Sequence, residues 1–290
     1  MKINLHRSSL LLACLSLSSA PVFANTVFLF NSSTYVGSNY DFNRSATLGN
    51  REEGDPYVYS IPFSTAPLVT STNYHGPAFY GGFRISSTNR DVTVSAYLRN
   101  NVSASLDGPF ITVNRLTGSP NWASDPISAQ GVLMFDLERP ASVDGFNISV
   151  TDFGSAVTNT AARWVVKVGD NYYVSNSTFI IPNSIGDRSS GSLSEVTWAL
   201  YNPATDLAFS AAGASFTSLS LTNVTAIGVQ FQRTESLTST SSAGFAFAFT
   251  KLEVTGAFIP EPSTLALLLG LLALGVPALR RILRSPATRR

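Results

Sequence analysis

The chain has 290 residues, of which 44% are hydrophobic and only 13% charged, about half the ~25% charge of an ordinary soluble domain. The net charge of +1 conceals an asymmetry: seven of the 19 basic residues lie at the two ends, while the stretch 25–262 carries 12 basic against all 18 acidic residues, a balance of −6. A mildly acidic body argues against nucleic acid as a partner, because phosphate neutralisation needs a basic face, and polar positions filled by Ser, Thr and Asn suit strands rather than long exposed helices.

The N-terminus has the three parts of a signal peptide. Lys2 and Arg7 supply the positive region, Leu10–Leu17 the apolar core, and Val22 and Ala24 stand at the −3 and −1 positions of a cleavage site. The expectation is a signal helix over 1–24, signal peptidase as a partner, and a mature chain beginning at Asn25. The only cysteine, Cys14, lies inside that signal. The mature body then has no disulfide, no Cys–zinc site and no cysteine nucleophile, so its stability must come from a core that about 230 residues can supply.

The body over 25–256 reads as short strands separated by turns. Thr26–Phe30, Tyr57–Ile61, Asp91–Leu98, Pro109–Val113 and Gly131–Leu137 are β-rich runs, and 31–55 is poor in strand signals. In Val143–Val150, Phe146, Ile148 and Val150 alternate with Asn147 and Ser149, the period of a half-buried strand. Ala162–Ser175 reads as a hairpin turning at Gly169-Asp170. Ser194–Tyr201, Val224–Phe231 and Gly244–Gly256 complete the set, the last alternating Phe with Ala. Ten or so strands with no helical period and no Pro/Ser/Gly-rich divider predict one all-β domain, an antiparallel β-sandwich.

Chemical motifs are sparse. The body has one histidine, His75, and contains no HExxH, GxSxG, Walker or GxGxxG pattern; no cofactor and no metal site are expected, and the chain does not read as an enzyme. Glycoside hydrolysis needs only paired carboxylates, and Asp136 with Glu138, two apart on a strand and so on one face, or Glu52, Glu53 and Asp55, are the candidates for that alternative: an exported carbohydrate-active enzyme. Aromatics are the stronger lead. Trp164, Tyr172, Tyr173, Trp198 and Tyr201 cluster in the later half; they either fill the core or form an exposed platform that stacks on sugar rings. Trp164, Tyr172 and Trp198 are the candidate ligand contacts, with extracellular polysaccharide as the ligand they would suit.

The C-terminus is the most specific stretch. Pro260-Glu261-Pro262 precedes an apolar run, Leu265–Leu279, and five arginines follow within eleven residues, among them Arg280, Arg281 and Arg284. Fifteen helical residues span about 22 Å, short of a ~30 Å hydrocarbon layer, and the basic cluster places the tail in the cytoplasm and the body outside. Two prolines around a glutamate make a stiff, extended, helix-incompatible peptide at the membrane surface. This tripartite tail resembles the PEP-CTERM sorting signal of Gram-negative bacteria. The resemblance covers about the last 30 residues (257–290) and departs from the pattern at Pro277 and in the extended "LRSPATRR" ending. It implies recognition and cleavage by an integral-membrane exosortase, transient anchoring in the inner membrane through a helix at 265–279, and delivery to the cell surface or extracellular matrix.

A second resemblance covers roughly 145–256. The Arg163-Trp164 strand, the Asn171-Tyr172-Tyr173 arm, Thr197-Trp198 with Tyr201 and Pro203, Val224–Phe231 and a closing strand are similar to carbohydrate-binding jelly rolls. It implies a jelly-roll-like sandwich. The expected protein is therefore an exported structural or adhesive one, with a β-sandwich body suited to polysaccharide.

Overall fold

The structure is a computed structural model that describes residues 25–31, 46–47, 57–68, 77–87, 92–99, 108–115, 127–153, 160–181, 186–233 and 245–259. The signal peptide with Val22 and Ala24, the acidic Glu52-Glu53-Asp55 cluster, His75, Pro260-Glu261-Pro262, the apolar run and Arg280, Arg281 and Arg284 lie outside the described residues. No helix among the described residues is long and apolar enough to cross a membrane.

Fourteen antiparallel strands carry the fold: β1 (Asn25–Asn31), β2 (Ala46–Thr47), β3 (Tyr57–Ser64), β4 (Phe79–Ser87), β5 (Val92–Arg99), β6 (Gly108–Arg115), β7 (Ile127–Phe153), β8 (Ala161–Val168), β9 (Asn171–Ile180), β10 (Gly186–Ser189), β11 (Thr197–Tyr201), β12 (Thr217–Ser218), β13 (Val224–Arg233) and β14 (Phe245–Phe258). The expected all-β, antiparallel architecture is what forms, with one 3-10 turn, Leu193–Glu195, as the sole helical element among the described residues.

The two runs expected as separate strands, Gly131–Leu137 and Val143–Val150, are halves of the 27-residue β7. Its first half is flanked by β4 and β13, and its second half by β14 and β10. The halves meet at Pro140, a residue without an N–H. Its carbonyl still accepts a bond from the Ile259 N–H at 3.0 Å. One layer runs β3-β4-β7-β13-β8-β9-β11-β12; the other contains β10, the second half of β7, β14, β1, β6, β5 and β2.

Apolar residues at alternate positions of both layers make one core. Phe79, Phe83, Leu133, Phe135, Trp164, Val166, Ile227 and Val229 from the first layer pack with Phe30, Phe146, Ile148, Val150, Leu252 and Val254 from the second. The contact is direct: Phe146 stacks on Trp164 with centroids 5.2 Å apart, and Phe28 and Phe30 each lie 5.3 Å from Phe135. The β8–β9 hairpin turns at Gly169, whose φ of +60° is the left-handed conformation such a turn requires. Four strands have no counterpart among the sequence expectations: β2, β4, β10 and β12. In β4, Gly81-Gly82 interrupts the pattern between Phe79 and Phe83, and β10 and β12 are short and polar.

Candidate functional site

The first layer also buries its outer face, the one turned away from the core. Strand period two places Tyr80, Val132, Met134, Ala226, Val165, Val174, Ala199 and Tyr201 there, in a second apolar cluster. The cross-strand registers set two rows. Tyr80, Met134, Gly228, Val165, Val174 and Ala199 lie along one; Asp136, Ala226, Lys167, Tyr172 and Tyr201 lie along the next.

Midway between the tyrosines, on β13, the floor narrows to Gly228 and Ala226, the glycine for a steric reason. A Cβ added at Gly228 would fall 2.0 Å from the Leu133 carbonyl oxygen and 2.6 Å from the Met134 sulfur. Part of the face is roofed by residues 202–216. The Leu207 carbonyl accepts from Tyr201 Oη at 2.9 Å and from Gln230 Nε2 at 3.3 Å, and the Phe209 N–H donates to Gln232 Oε1 at 3.1 Å. The Phe209 ring sits 5.4 Å below the Arg163 guanidinium, which also donates to the Ser175 and Asn176 carbonyls. Burial lowers the pKa of Arg163 and raises that of Tyr201, with the Asp206 charge adding to the latter.

Beyond that roof, Tyr80 and Tyr172 converge. Their strands, β4 and β9, are separated by β7, β13 and β8, about 19 Å on a flat sheet at ~4.8 Å per strand. A single ring nevertheless touches both: Phe63 lies edge-on to Tyr80 at 6.0 Å and to Tyr172 at 5.3 Å. The outer face is therefore concave. Burial pushes the Tyr80 phenol well above its usual range, and the neighbouring Tyr172 hydroxyl and Asp136 carboxylate act in the same direction. The two hydroxyls and the Asp136 carboxylate lie within reach of one another, yet neither phenol makes a hydrogen bond of ordinary geometry, and Tyr80 is only 3% exposed. Buried polar groups are normally satisfied, so this pair stands out. The Lys167 ammonium is 5.6 Å from the centre of the Tyr172 ring, and Asp136 is exposed at the rim.

The three aromatic candidates part company here. Trp164 and Trp198 are 2% and 1% exposed and belong to the core between the layers, so neither presents a ring face to a ligand. The reason is parity: each sits on the inward side of its strand. Tyr172, half-buried on the opposite face, is the one of the three in the concave site. Tyr173 points inward and packs against the core. Asp136 and Glu138 are both exposed, at the end of the first half of β7. Among the described residues no group of three or more His, Cys, Asp or Glu is placed to hold a metal ion. Two site residues escaped the sequence reading, Tyr80 and Phe63. Tyr80 lies on the unrecognised β4, and Phe63 sits just past the end of the run expected at Tyr57–Ile61. Their contact with Tyr172 is long-range and leaves no local signal.

No family model matches this chain, and no curated protein matches it. Among solved structures it is similar to the family 11 carbohydrate-binding module of the cellulosomal cellulase Lic26A-Cel5E of Clostridium thermocellum, at 14% identity over 62% of this chain and 90% of that one, with a TM-score of 0.31. A family 11 carbohydrate-binding module from Clostridium thermocellum in complex with a β-1,3-1,4-mixed-linked tetrasaccharide gives 12% identity, 61% and 91% coverage and a TM-score of 0.33. The structure of PfGH50B gives 11% identity, 59% and 22% coverage and a TM-score of 0.26. Likeness at these scores carries no argument about this chain; its own residues must.

Proposed function

We propose that this chain is an exported, non-enzymatic protein of the cell surface or extracellular matrix whose β-sandwich binds polysaccharide in the concave outer face of its first layer. The observation that carries the reading is the Tyr80 and Tyr172 hydroxyl pair on that face, buried without a hydrogen bond of ordinary geometry, with Lys167 and Asp136 beside it. Tyrosine presents an apolar ring face and a polar tip, and a polyhydroxylated ligand needs both, because its ring stacks while its hydroxyls bond. Asp136 accepts, Lys167 donates, and each phenol does either. Export and sorting enter through the sequence: a signal cleaved after Ala24, and a tail in which Pro260-Glu261-Pro262 is the processing motif, read by an exosortase-type enzyme in the inner membrane.

Affinity electrophoresis of the full-length chain through gels containing mixed-linkage β-glucan, xylan or alginate tests the binding. At least one polymer is expected to retard the protein, and Tyr172→Ala to weaken that retention about tenfold, equivalent to ~1.4 kcal/mol. Passage of the wild-type chain unretarded through all three gels would count against polysaccharide as the ligand. Sorting is tested separately by mass spectrometry of the exported product. A C-terminus upstream of Leu265 is expected, and an intact Arg290 defeats it.

A further inference from the structure

Phe63 occupies an unusual position. The β3–β4 ladder loses register between Ile61 and Ser64, so Phe63 lies in a bulge, where one strand carries residues with no cross-strand partner. It follows Pro62, which has no N–H to donate, and both Pro62 and Ser64 are exposed. The bulge rests low on the face because position 82 is a glycine: a Cβ there would fall 2.7 Å from the Phe63 nitrogen and 2.8 Å from the Ile61 carbonyl oxygen. The ring itself is held through its edge-on contacts with Tyr80 and Tyr172. The ladder pairs again on either side of it, Ile61 with Phe83 and Ser64 with Gly81, so the position of the ring is not fixed by strand pairing.

A phenyl ring between two phenols satisfies their apolar surface and neither of their hydroxyls. The ring is about the size of a pyranose, which would offer the same two tyrosines hydroxyl donors and acceptors. We infer that Phe63 is an internal occupant of the concave site, a plug that closes the Tyr80–Tyr172 pair in the free protein and that a single sugar ring displaces. This rests on the reading of that face as a polysaccharide site. The closed form leaves two buried hydroxyls unbonded and the open form bonds them to the ligand, so the ligand favours the open form by differential interaction. The plug lowers apparent affinity by the fraction of molecules that are open.

Two measurements on the full-length protein separate the plug from the ligand. The first uses no ligand: nitration by tetranitromethane at mildly alkaline pH, mapped by peptide mass spectrometry. Tyr80 is expected to resist in the wild type and to react at least about fivefold faster in Phe63→Ala, with Phe63→Leu intermediate; circular dichroism melting confirms that each variant is folded. The second is retention by mixed-linkage β-glucan, xylan and alginate. A protein about 90% closed gains about tenfold in affinity when the plug is removed, and Phe63→Ala is expected to show that gain on whichever polymer retards the wild type. Tyr80 equally resistant in the wild type and in both folded variants overturns the plug. Weaker retention of folded Phe63→Ala also overturns it, because the ring would then be a stacking platform. Faster nitration with no retention of any form by any polymer upholds the plug and rejects polysaccharide as its competitor.

Discussion

Tyr80 and Trp164 are large aromatics whose substitution should have opposite consequences. Tyr80 is buried with an unbonded hydroxyl, and removing such a group while keeping the ring relieves a desolvation cost. Tyr80→Phe is therefore expected to leave the melting temperature unchanged or to raise stability by up to ~1 kcal/mol, while weakening polysaccharide retention. A clear drop in melting temperature would mean that the hydroxyl is bonded in the folded protein. Trp164 lies between Phe146, stacked at 5.2 Å, and Phe179, tilted at 4.7 Å. Trp164→Ala opens a cavity in the core and should cost about 3–5 kcal/mol in denaturant unfolding, with retention per folded molecule unaffected. The sequence singles out Trp164 and not Tyr80, and leaves the role of Trp164 open, since an aromatic on a strand suits a core and a sugar platform equally well. Side-chain parity relative to the second layer separates them, and that layer comes from distant parts of the chain.

Elements whose signals are local were legible. The β8–β9 hairpin is marked by Gly169-Asp170 between β-branched and aromatic runs, and β13 follows the expected Val224–Phe231 with two further residues. What escaped was continuity and pairing. Pro140 reads as a break, yet β7 passes through it, because flanking β13 and β14 both hold Ala141, one on each side. β4 escaped because its Gly81-Gly82 pair looks like a turn; in the sheet those positions are glycine because backbone from β7 and β3 lies against them. The same close approach governs Gly228 on β13. Gly228→Ala should separate β13 from β7, cost roughly 1–3 kcal/mol and lower the urea midpoint. An unchanged midpoint would show that Met134 and the Leu133 backbone yield without loss.

Across the whole molecule the first and last described strands are joined, β1 to β14. Glu253 on β14 accepts from Lys251 Nζ at 2.9 Å and from Thr26 Oγ1 on β1 at 3.1 Å. The Lys251 hydrogen bond first, then that from Thr26, holds its carboxyl below the usual range. A depressed folded value means that the stabilisation is present above the unfolded pKa of about 4.3 and is lost as pH falls through the folded value. Glu253→Gln should lower stability slightly above that window and leave it unchanged below it, so that the acid limb of the stability–pH curve flattens. An identical acid limb in wild type and variant would remove the linkage. With a single cysteine in the whole chain, thermal unfolding is also expected to be indifferent to reductant; a reductant-dependent melt would reveal a disulfide between copies.

The sequence by itself determined what depends on composition and near neighbours: an all-β antiparallel body, the absence of an internal disulfide, the hairpin at Gly169, and a terminal pattern that predicts export and sorting. These are readable because residue type, charge and period two act over a few positions at a time. The tertiary structure alone decided which face of each strand is inside, and so sent Trp164 and Trp198 to the core and Tyr172 to the other side. It also curved the first layer over the small floor at Gly228 and Ala226, bringing Phe63, Tyr80 and Tyr172 together from strands far apart in the chain. Curvature and cross-strand register are properties of the assembled sheet, and no short stretch of this sequence contains them.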